Sequence, residues 1–292
     1  MPLNGTANSV LYRQLRCAVG WYAAVDVALM RGRDALEAFV EGALSRALSP
    51  DEKMDLTVYL YDLRAGAGGG RRERLFDWEV QWFEQALPPA PAHLLLGAAG
   101  AGVEARWLTA RGYKVDAFEP AHHFGLSLRS AVGDGLSATG SYADLIEAVR
   151  GDDNTLRIFA VRRYDAVILG WGSLAHVLGA AVRRRLFAAC DALCPDGPFL
   201  ASFFARAGAA DAGRRSRAAA AGQSAGQLLA RARGVHAEPN SARFLSHAGF
   251  IEPLPLAELD ELAAASGRIV ELFQDEYPHA TFRKRADRGV RP

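Results

Sequence analysis

A mixed α/β fold is predicted by three observations. From His93 onward, short apolar runs alternate with segments of helical period. The first run, "HLLLGA", passes through a Gly/Ala turn into a helix. The runs are apolar throughout instead of at every second position, the pattern of parallel strands covered on both faces. At 292 residues, half of them hydrophobic, the chain has room for one large α/β domain with additions or for two small domains.

The elements follow in order. "LYRQLRCAVGWYAAVDVALM" carries apolar residues at helical spacing, and "DALEAFVEGALSRAL" opens on Asp34 as an expected N-cap. Ser49, Pro50 and Glu52 stand in capping-box order before a third helix. "AGAGGG" at 65–70 reads as a hinge or loop. Next, "RERLFDWEVQWFEQALPP" puts Leu75, Trp78, Trp82 and Phe83 on one helical face, and its prolines stop the helix. "HLLLGA" is strand one, "VEARWLTARG" a helix, "YKVDAFEP" strand two and "HHFGLSLRSAV" a helix. A weak strand three lies in "LSATGSYADL"; "YDAVILGW" is strand four, and "LGAAVRRRLFAACDALCPDG" is a helix closed by Pro and Gly. "PFLASFFA" is strand five. Residues 206–234 are basic and of low complexity, open to either a helix or a lid. "RFLSHAGFIEPLP" reads as extended, "LAELDELAAASG" as a helix ending at Gly267, and "RIVELF" with "YPHATFRK" as two strands around a turn.

Composition excludes some functions. The net charge of +1 gives no basic excess for a nucleic-acid partner. Cys190 and Cys194 lie four apart on one expected helix, with no third and fourth ligand near them, so no metal site is expected and the thiols read as buried apolar groups. The odd cysteine count suits a reducing compartment, the opening residues lack the basic-then-apolar order of a signal peptide, and the run from Cys17 to Met30 is too short to span a membrane. The expectation is a soluble cytoplasmic protein without a membrane partner. Arg183 to Arg185 reads as a solvated helix face.

The turn after strand one carries the chemistry. Gly100, Gly102 and Ala105 satisfy G-x-G-x-x-G/A, and Glu119 lies 19 positions beyond Gly100 at the end of strand two. Small residues let the backbone approach a ligand, a helix start offers free N–H groups, and the acid can accept from both ribose hydroxyls. Nicotinamide and S-adenosylmethionine cofactors both fit this motif alone.

Three further features separate them. The turn follows about ninety residues of helix, strand four runs into "LGWGSLAHV", and the tail ends in a strand pair that an all-parallel dinucleotide sheet does not need. In these features, over residues 72–285, the chain resembles the class I S-adenosylmethionine-dependent methyltransferases. Their acid-x-G-x-G-x-G motif is followed 17 residues later by the ribose acid, as Gly102 is here by Glu119. The family's strand-one acid falls on Leu96 and its first glycine on Ala98, so Glu104, Glu79 or a backbone group must replace that acid.

The resemblance implies a Rossmann-like seven-stranded mixed sheet with an antiparallel final strand, an N-terminal helical cap over 1–71, a cofactor domain over 72–292, and a lid insertion after strand five at about 205–254. It implies S-adenosylmethionine as cofactor. Gly97, Ala98, Gly100 and Gly102 would line its methionine half, Glu119 would bind the ribose and Pro120 would lie against the adenine. Ser141, Tyr142 or Asp144 would meet the adenine amine, and Gly170 with Trp171 would sit beside the sulfonium. His176, just past strand four, and His247, in the lid, are the expected catalytic bases; both also read as ordinary packed or surface histidines. Trp78, Trp82, Trp171 and Tyr142 are candidates for an aromatic acceptor wall, with core packing as the other reading of Trp78 and Trp82. His122 and His123 either edge the adenine pocket or face solvent. The apolar additions suit a small-molecule methyl acceptor such as a specialised metabolite, with O-, N- and C-methylation equally open and a homodimer permitted. Methylation of a peptide or protein side chain, and a non-catalytic cofactor-binding interaction protein, are the alternatives.

Overall fold

The computed structural model describes residues 10–66, 72–205, 217–232, 242–273 and 277–285. In chain order the helices are α1 (Val10–Ala47), α2 (Pro50–Gly66), α3 (Asp77–Ala86), α4 (Val103–Thr109), α5 (Gly125–Ala131), α6 (Tyr142–Arg150), α7 (Arg157–Ala160), α8 (Ala180–Leu193), α9 (Arg217–Ala232) and α10 (Leu256–Ala265). The strands are β1 (His93–Gly97), β2 (Lys114–Glu119), β3 (Ser137–Thr139), β4 (Ala166–Leu169), β5 (Phe199–Ser202), β6 (Arg243–Leu245), β7 (Gly249–Ile251), β8 (Arg268–Phe273) and β9 (His279–Lys284). Short 3-10 turns cover His122–Phe124 and Ser173–His176.

The chain divides into two compact units. One contains α1 and α9, from Met1–Leu48 and Gly208–Asn240. These helices pack closely because three glycines face the partner backbone: a Cβ on Gly222 would stand 2.2 Å from the Ala35 carbonyl oxygen, one on Gly226 2.2 Å from that of Phe39, and one on Gly42 2.4 Å from that of Gln223. Helix α1 runs unbroken through Asp34, so the expected N-cap there is not formed. Of the hinge expected at 65–70, residues 65 and 66 end helix α2 and 67–70 lie outside the described residues; of 206–234, residues 217–232 form helix α9 and the rest lie outside them.

The other unit, Ser49–Ala207 with Ser241–Pro292, holds both sheets. Helix α2 belongs to this unit and not with α1. Its N-terminus has the expected capping box: Ser49 N–H donates to Glu52 Oε2 at 2.7 Å, and Glu52 N–H to Ser49 Oγ at 3.2 Å.

The main sheet has the order β3-β2-β1-β4-β5-β9-β8, with β9 antiparallel to both neighbours. This is the Rossmann-like seven-stranded arrangement with an antiparallel final strand. It departs from the all-parallel 3-2-1-4-5-6 order of the dinucleotide fold at its last two positions. Strand alternation builds two cores. Leu95, Val167, Leu169 and Phe199 face one layer with α6, α8 and α10, while Leu94, Leu96, Ile168 and Leu200 face the other with α3 and α4. Continuous apolar strands are the consequence of this two-sided burial. The register Gly97↔Phe118, Gly97↔Leu169 and Glu119↔Thr139 brings the glycine turn, the acid and the end of β4 to one edge of the sheet. Open α/β sheets bind ligands at that carboxyl edge.

Arg183 corrects the reading of a solvated basic face. It is 1% exposed, donates to the Val177 carbonyl, and pairs with Glu252 and Glu258, whereas Arg184 and Arg185 are exposed. Cys190 and Cys194 are buried free thiols, with burial pushing both pKa values up, that of Cys194 to about 11. Among the described residues there is no metal-ligand cluster, and no helix is long and apolar enough to cross a membrane.

Candidate active site

The turn between β1 and α4 is built on left-handed backbone. Ala98, Gly100 and Gly102 have φ values of +51°, +52° and +79°. An alanine tolerates this conformation at a cost of about 1 kcal/mol, which is how Ala98 stands where the family motif has glycine. The end of β4 closes on the same turn. Gly170 N–H donates to the Gly97 carbonyl at 2.8 Å, and a Cβ on Gly170 would come within 2.5 Å of the Ala98 carbonyl oxygen. A Cβ on Gly100 would meet nothing within 4 Å, so this backbone is open to a ligand.

In front of the turn lies a cavity of about 500 Å³, within the common range for small-molecule sites of roughly 300–1,000 Å³. Of the residues expected from the sequence, Ala98, Gly100, Glu119, Pro120, Ser141, Tyr142, Trp171, His176 and His247 line it. Gly97, Gly102, Gly170 and Asp144 stand behind its wall. Gly97 packs under Phe118 and Tyr142, and Gly102 packs against Ala131. Asp144 is the reciprocal cap of α6, accepting from Ser141 N–H at 2.6 Å and Ser141 Oγ at 2.8 Å, both on Oδ2.

Glu119 is held at the end of β2 by two backbone donors, Gly100 N–H to Oε2 at 2.7 Å and Ala121 N–H to Oε1 at 2.9 Å. Burial lifts its pKa to about 7 against the lowering effect of these bonds. Leu96 is a fully buried core residue. Glu104 on α4 lines the cavity, and Arg72 pairs with it at 2.7 Å and with Glu79 on α3. The Arg72 guanidinium also lies over the rings of Phe76, at 5.2 Å, and Trp171, at 5.9 Å.

His176 ends the 3-10 turn after β4. Its Nδ1 lies 2.9 Å from the Phe250 carbonyl oxygen, and its ring meets Tyr61 edge-on at 6.0 Å. A carbonyl only accepts, so Nδ1 carries the proton and Nε2 keeps its lone pair. Burial lowers the pKa of this ring, which keeps it neutral near pH 7. His247 is exposed on the turn between β6 and β7, where its carbonyl accepts from Arg64. His122 and His123 face solvent, and Trp82 is a core residue bonded to Thr281, away from any acceptor wall.

Helix α2, part of the helical front piece expected to cover this edge of the sheet, supplies a wall whose residues were not singled out from the sequence: Met54, Thr57, Val58, Tyr61 and Arg64 all line the cavity. Their spacing of three and four along one helix was visible, but nothing local indicated what that face covers. Arg72, Phe76 and Phe124 were also missed as site residues.

No protein-family model and no curated protein matches the chain. Among solved structures it is similar to the CcbJ methyltransferase from Streptomyces caelestis, at 18% identity and TM-score 0.47, over 71% of this chain and 89% of that one. It is similar to DesVI from Streptomyces venezuelae, at 14% identity and TM-score 0.49, over 82% and 99%. It is also similar to the 1,6-didemethyltoxoflavin N1-methyltransferase from Burkholderia thailandensis, whose structure holds 1,6-didemethyltoxoflavin and S-adenosylhomocysteine, at 18% identity and TM-score 0.46, over 81% and 91%.

Proposed function

We propose that the protein is an S-adenosylmethionine-dependent methyltransferase that methylates a hydroxyl of a small molecule, with His176 as general base. The observation that carries this reading is one continuous cavity with the open glycine turn and Glu119 at one part of its wall and His176, fixed as a proton acceptor, at another.

The residues present fit the cofactor. Gly100 leaves room for a ligand at the turn, Glu119 could accept from ribose hydroxyls, and Glu104 and Arg72 would hold the amino and carboxylate groups of the methionine half. Pro120 and Ser141, which line the cavity, would flank the adenine. When bound, S-adenosylmethionine supplies an electrophilic methyl group on a positive sulfonium. The chain contributes orientation, exclusion of water and one proton transfer. The neutral imidazole of His176 takes the hydroxyl proton on Nε2 as the acceptor oxygen attacks, and later releases it to solvent. A neutral amine or sulfide attacks through its own lone pair and needs no base beforehand, whereas a hydroxyl is a poor nucleophile until its proton is taken, which favours an alcohol, phenol or enol. Met54, Val58 and Phe124 give the cavity an apolar wall suited to an enclosed small molecule and unsuited to a polymer.

Calorimetric titration with S-adenosylhomocysteine and with NAD tests the cofactor: binding of NAD alone refutes the reading. Transfer of labelled methyl to a panel of matched phenols and anilines tests the acceptor. Labelling confined to the anilines refutes O-methylation.

A further inference from the structure

Strand β7 is the edge of the two-stranded sheet β6-β7, and an edge strand leaves backbone N–H and C=O groups needing partners. Phe250 pairs with Phe244 on the inner side, and its own N–H and C=O turn outward. They meet two different elements. Thr57 Oγ1 of α2 accepts from Phe250 N–H at 3.0 Å, while Phe250 C=O accepts from His176 Nδ1 at 2.9 Å. Thr57 in turn donates its hydroxyl proton to the Lys53 carbonyl at 2.8 Å, so the direction of every bond in the chain is fixed. The next residue along the edge repeats the contact, with Glu252 N–H donating to the Ala175 carbonyl at 2.7 Å.

The fit around Thr57 is tight. It is 3% exposed, Phe250 is 1% exposed, and a Cβ on Gly249 would lie 2.7 Å from Thr57 Oγ1. Gly249, at φ +75°, lets the strand come this close.

We propose that Thr57 is a positioning residue for the base: through the Phe250 peptide edge it holds His176 in the Nδ1–H tautomer with Nε2 turned to the cavity. This inference rests on the methyltransferase reading of the site. Loss of the hydroxyl leaves a buried Phe250 N–H without its acceptor, so the edge moves or admits water, and the imidazole loses its fixed carbonyl partner. The charged and titratable groups around this point are Tyr61 and Lys53 from α2, Glu252 after β7, and His247 with Arg64 on the same cavity wall. None of these accepts the Nδ1 proton; the Phe250 carbonyl does.

The test needs no acceptor. Long-range nitrogen–proton spectra of the imidazoles in the full chain report tautomer and titration, with the His176 signals assigned by their loss in His176→Gln. Wild type is expected to show the Nδ1–H tautomer and to titrate below an ordinary histidine. Thr57→Val is expected to give mixed tautomers and a midpoint lowered further, because the carbonyl bond that favours the protonated ring is lost, and Thr57→Ser to restore both. A folded Thr57→Val with wild-type tautomer and titration overturns the proposal, as does a Thr57→Ser that behaves like Val. If Thr57→Val does not fold, wild type decides alone: an Nε2–H tautomer, or a Phe250 amide that exchanges as fast as a free one, overturns it. S-adenosylhomocysteine binding to the same variants separates the outcomes, because its loss in wild type refutes the methyltransferase reading without touching the Thr57 geometry.

Discussion

Glu119→Gln tests the proposed ribose contact and its charge. Both carboxylate oxygens accept a backbone N–H, one from Gly100 in the glycine turn and one from Ala121. A glutamine has one acceptor oxygen, so its NH₂ must confront one of these two donors. The lost charge-assisted contact is worth about 1.5–3 kcal/mol, a weakening of S-adenosylhomocysteine binding by roughly 10- to 150-fold. The pH dependence follows from burial, which raises the Glu119 pKa from 4.5 to about 7. The folded ligand-free protein therefore binds more protons than the unfolded chain between these values, and this group's contribution to stability falls as pH rises through that window. Ribose hydroxyls donate to the ionised form, so affinity should climb with pH and level off above about 7. At pH 6 about one carboxyl in ten is ionised, and affinity should be about tenfold below the plateau. Calorimetry from pH 5.5 to 8.5, in buffers of differing ionisation heat, should show proton release in wild type at pH 6 and none in Glu119→Gln. A flat wild-type profile, or a glutamine variant within twofold of wild type, would refute the assignment.

Other substitutions probe the remaining parts. His176→Gln should lower kcat by about 10²- to 10⁴-fold in the methyl-transfer assay and leave S-adenosylhomocysteine affinity within twofold; an equal loss of both would make His176 a structural residue. Gly170→Ala puts a Cβ within 2.5 Å of the Ala98 carbonyl oxygen, so it should cost about 1–3 kcal/mol in denaturant unfolding and weaken cofactor binding; a neutral effect would mean the turn can yield. Arg72→Met removes the counter-charge from Glu104, whose pKa burial already raises. A carboxyl raised in this way loses stability as pH rises, so this variant should be further below wild type in melting temperature at pH 8 than at pH 5. An equal deficit at both values would count against the pairing.

The glycine-turn side of the candidate site was legible because its signal is local. An apolar strand, a small-residue turn and an acid ending the next strand lie within 93–120, and parallel pairing of β1 with β2 brings their ends together without further information. Asp144 shows how one local signal carries two readings. An acid three residues after Ser141 fits both an adenine contact and a capping box, and the capping box is formed. Arg183 and Thr57 show what no window of sequence displays. The partners of Arg183 are 69 and 75 positions away, and Thr57 meets an edge strand 193 positions away. On α2, Thr57 looks like a threonine bonded back to the carbonyl four residues earlier, which it also is.

The substitution at Leu96 connects these points. Leu96 points into the core shared with α3 and α4, where a carboxylate would be buried among apolar side chains at a cost of several kcal/mol. With a leucine there, β1 packs on both faces and the negative charge moves to Glu104, which faces the cavity from the first turn of α4, where the helix dipole favours it. A second buried carboxylate, Glu79, is tied into the same place because Arg72 spans both, and Glu79 also accepts from Phe76 N–H at the start of α3. Arg72 thus ties an ion-paired cluster of Glu79 and Glu104 that fixes α3 against α4, and its guanidinium lies over Phe76 and Trp171 beside the cavity. Any change that loosens α3 should therefore weaken the methionine half of the site while leaving Glu119 and the ribose contact in place.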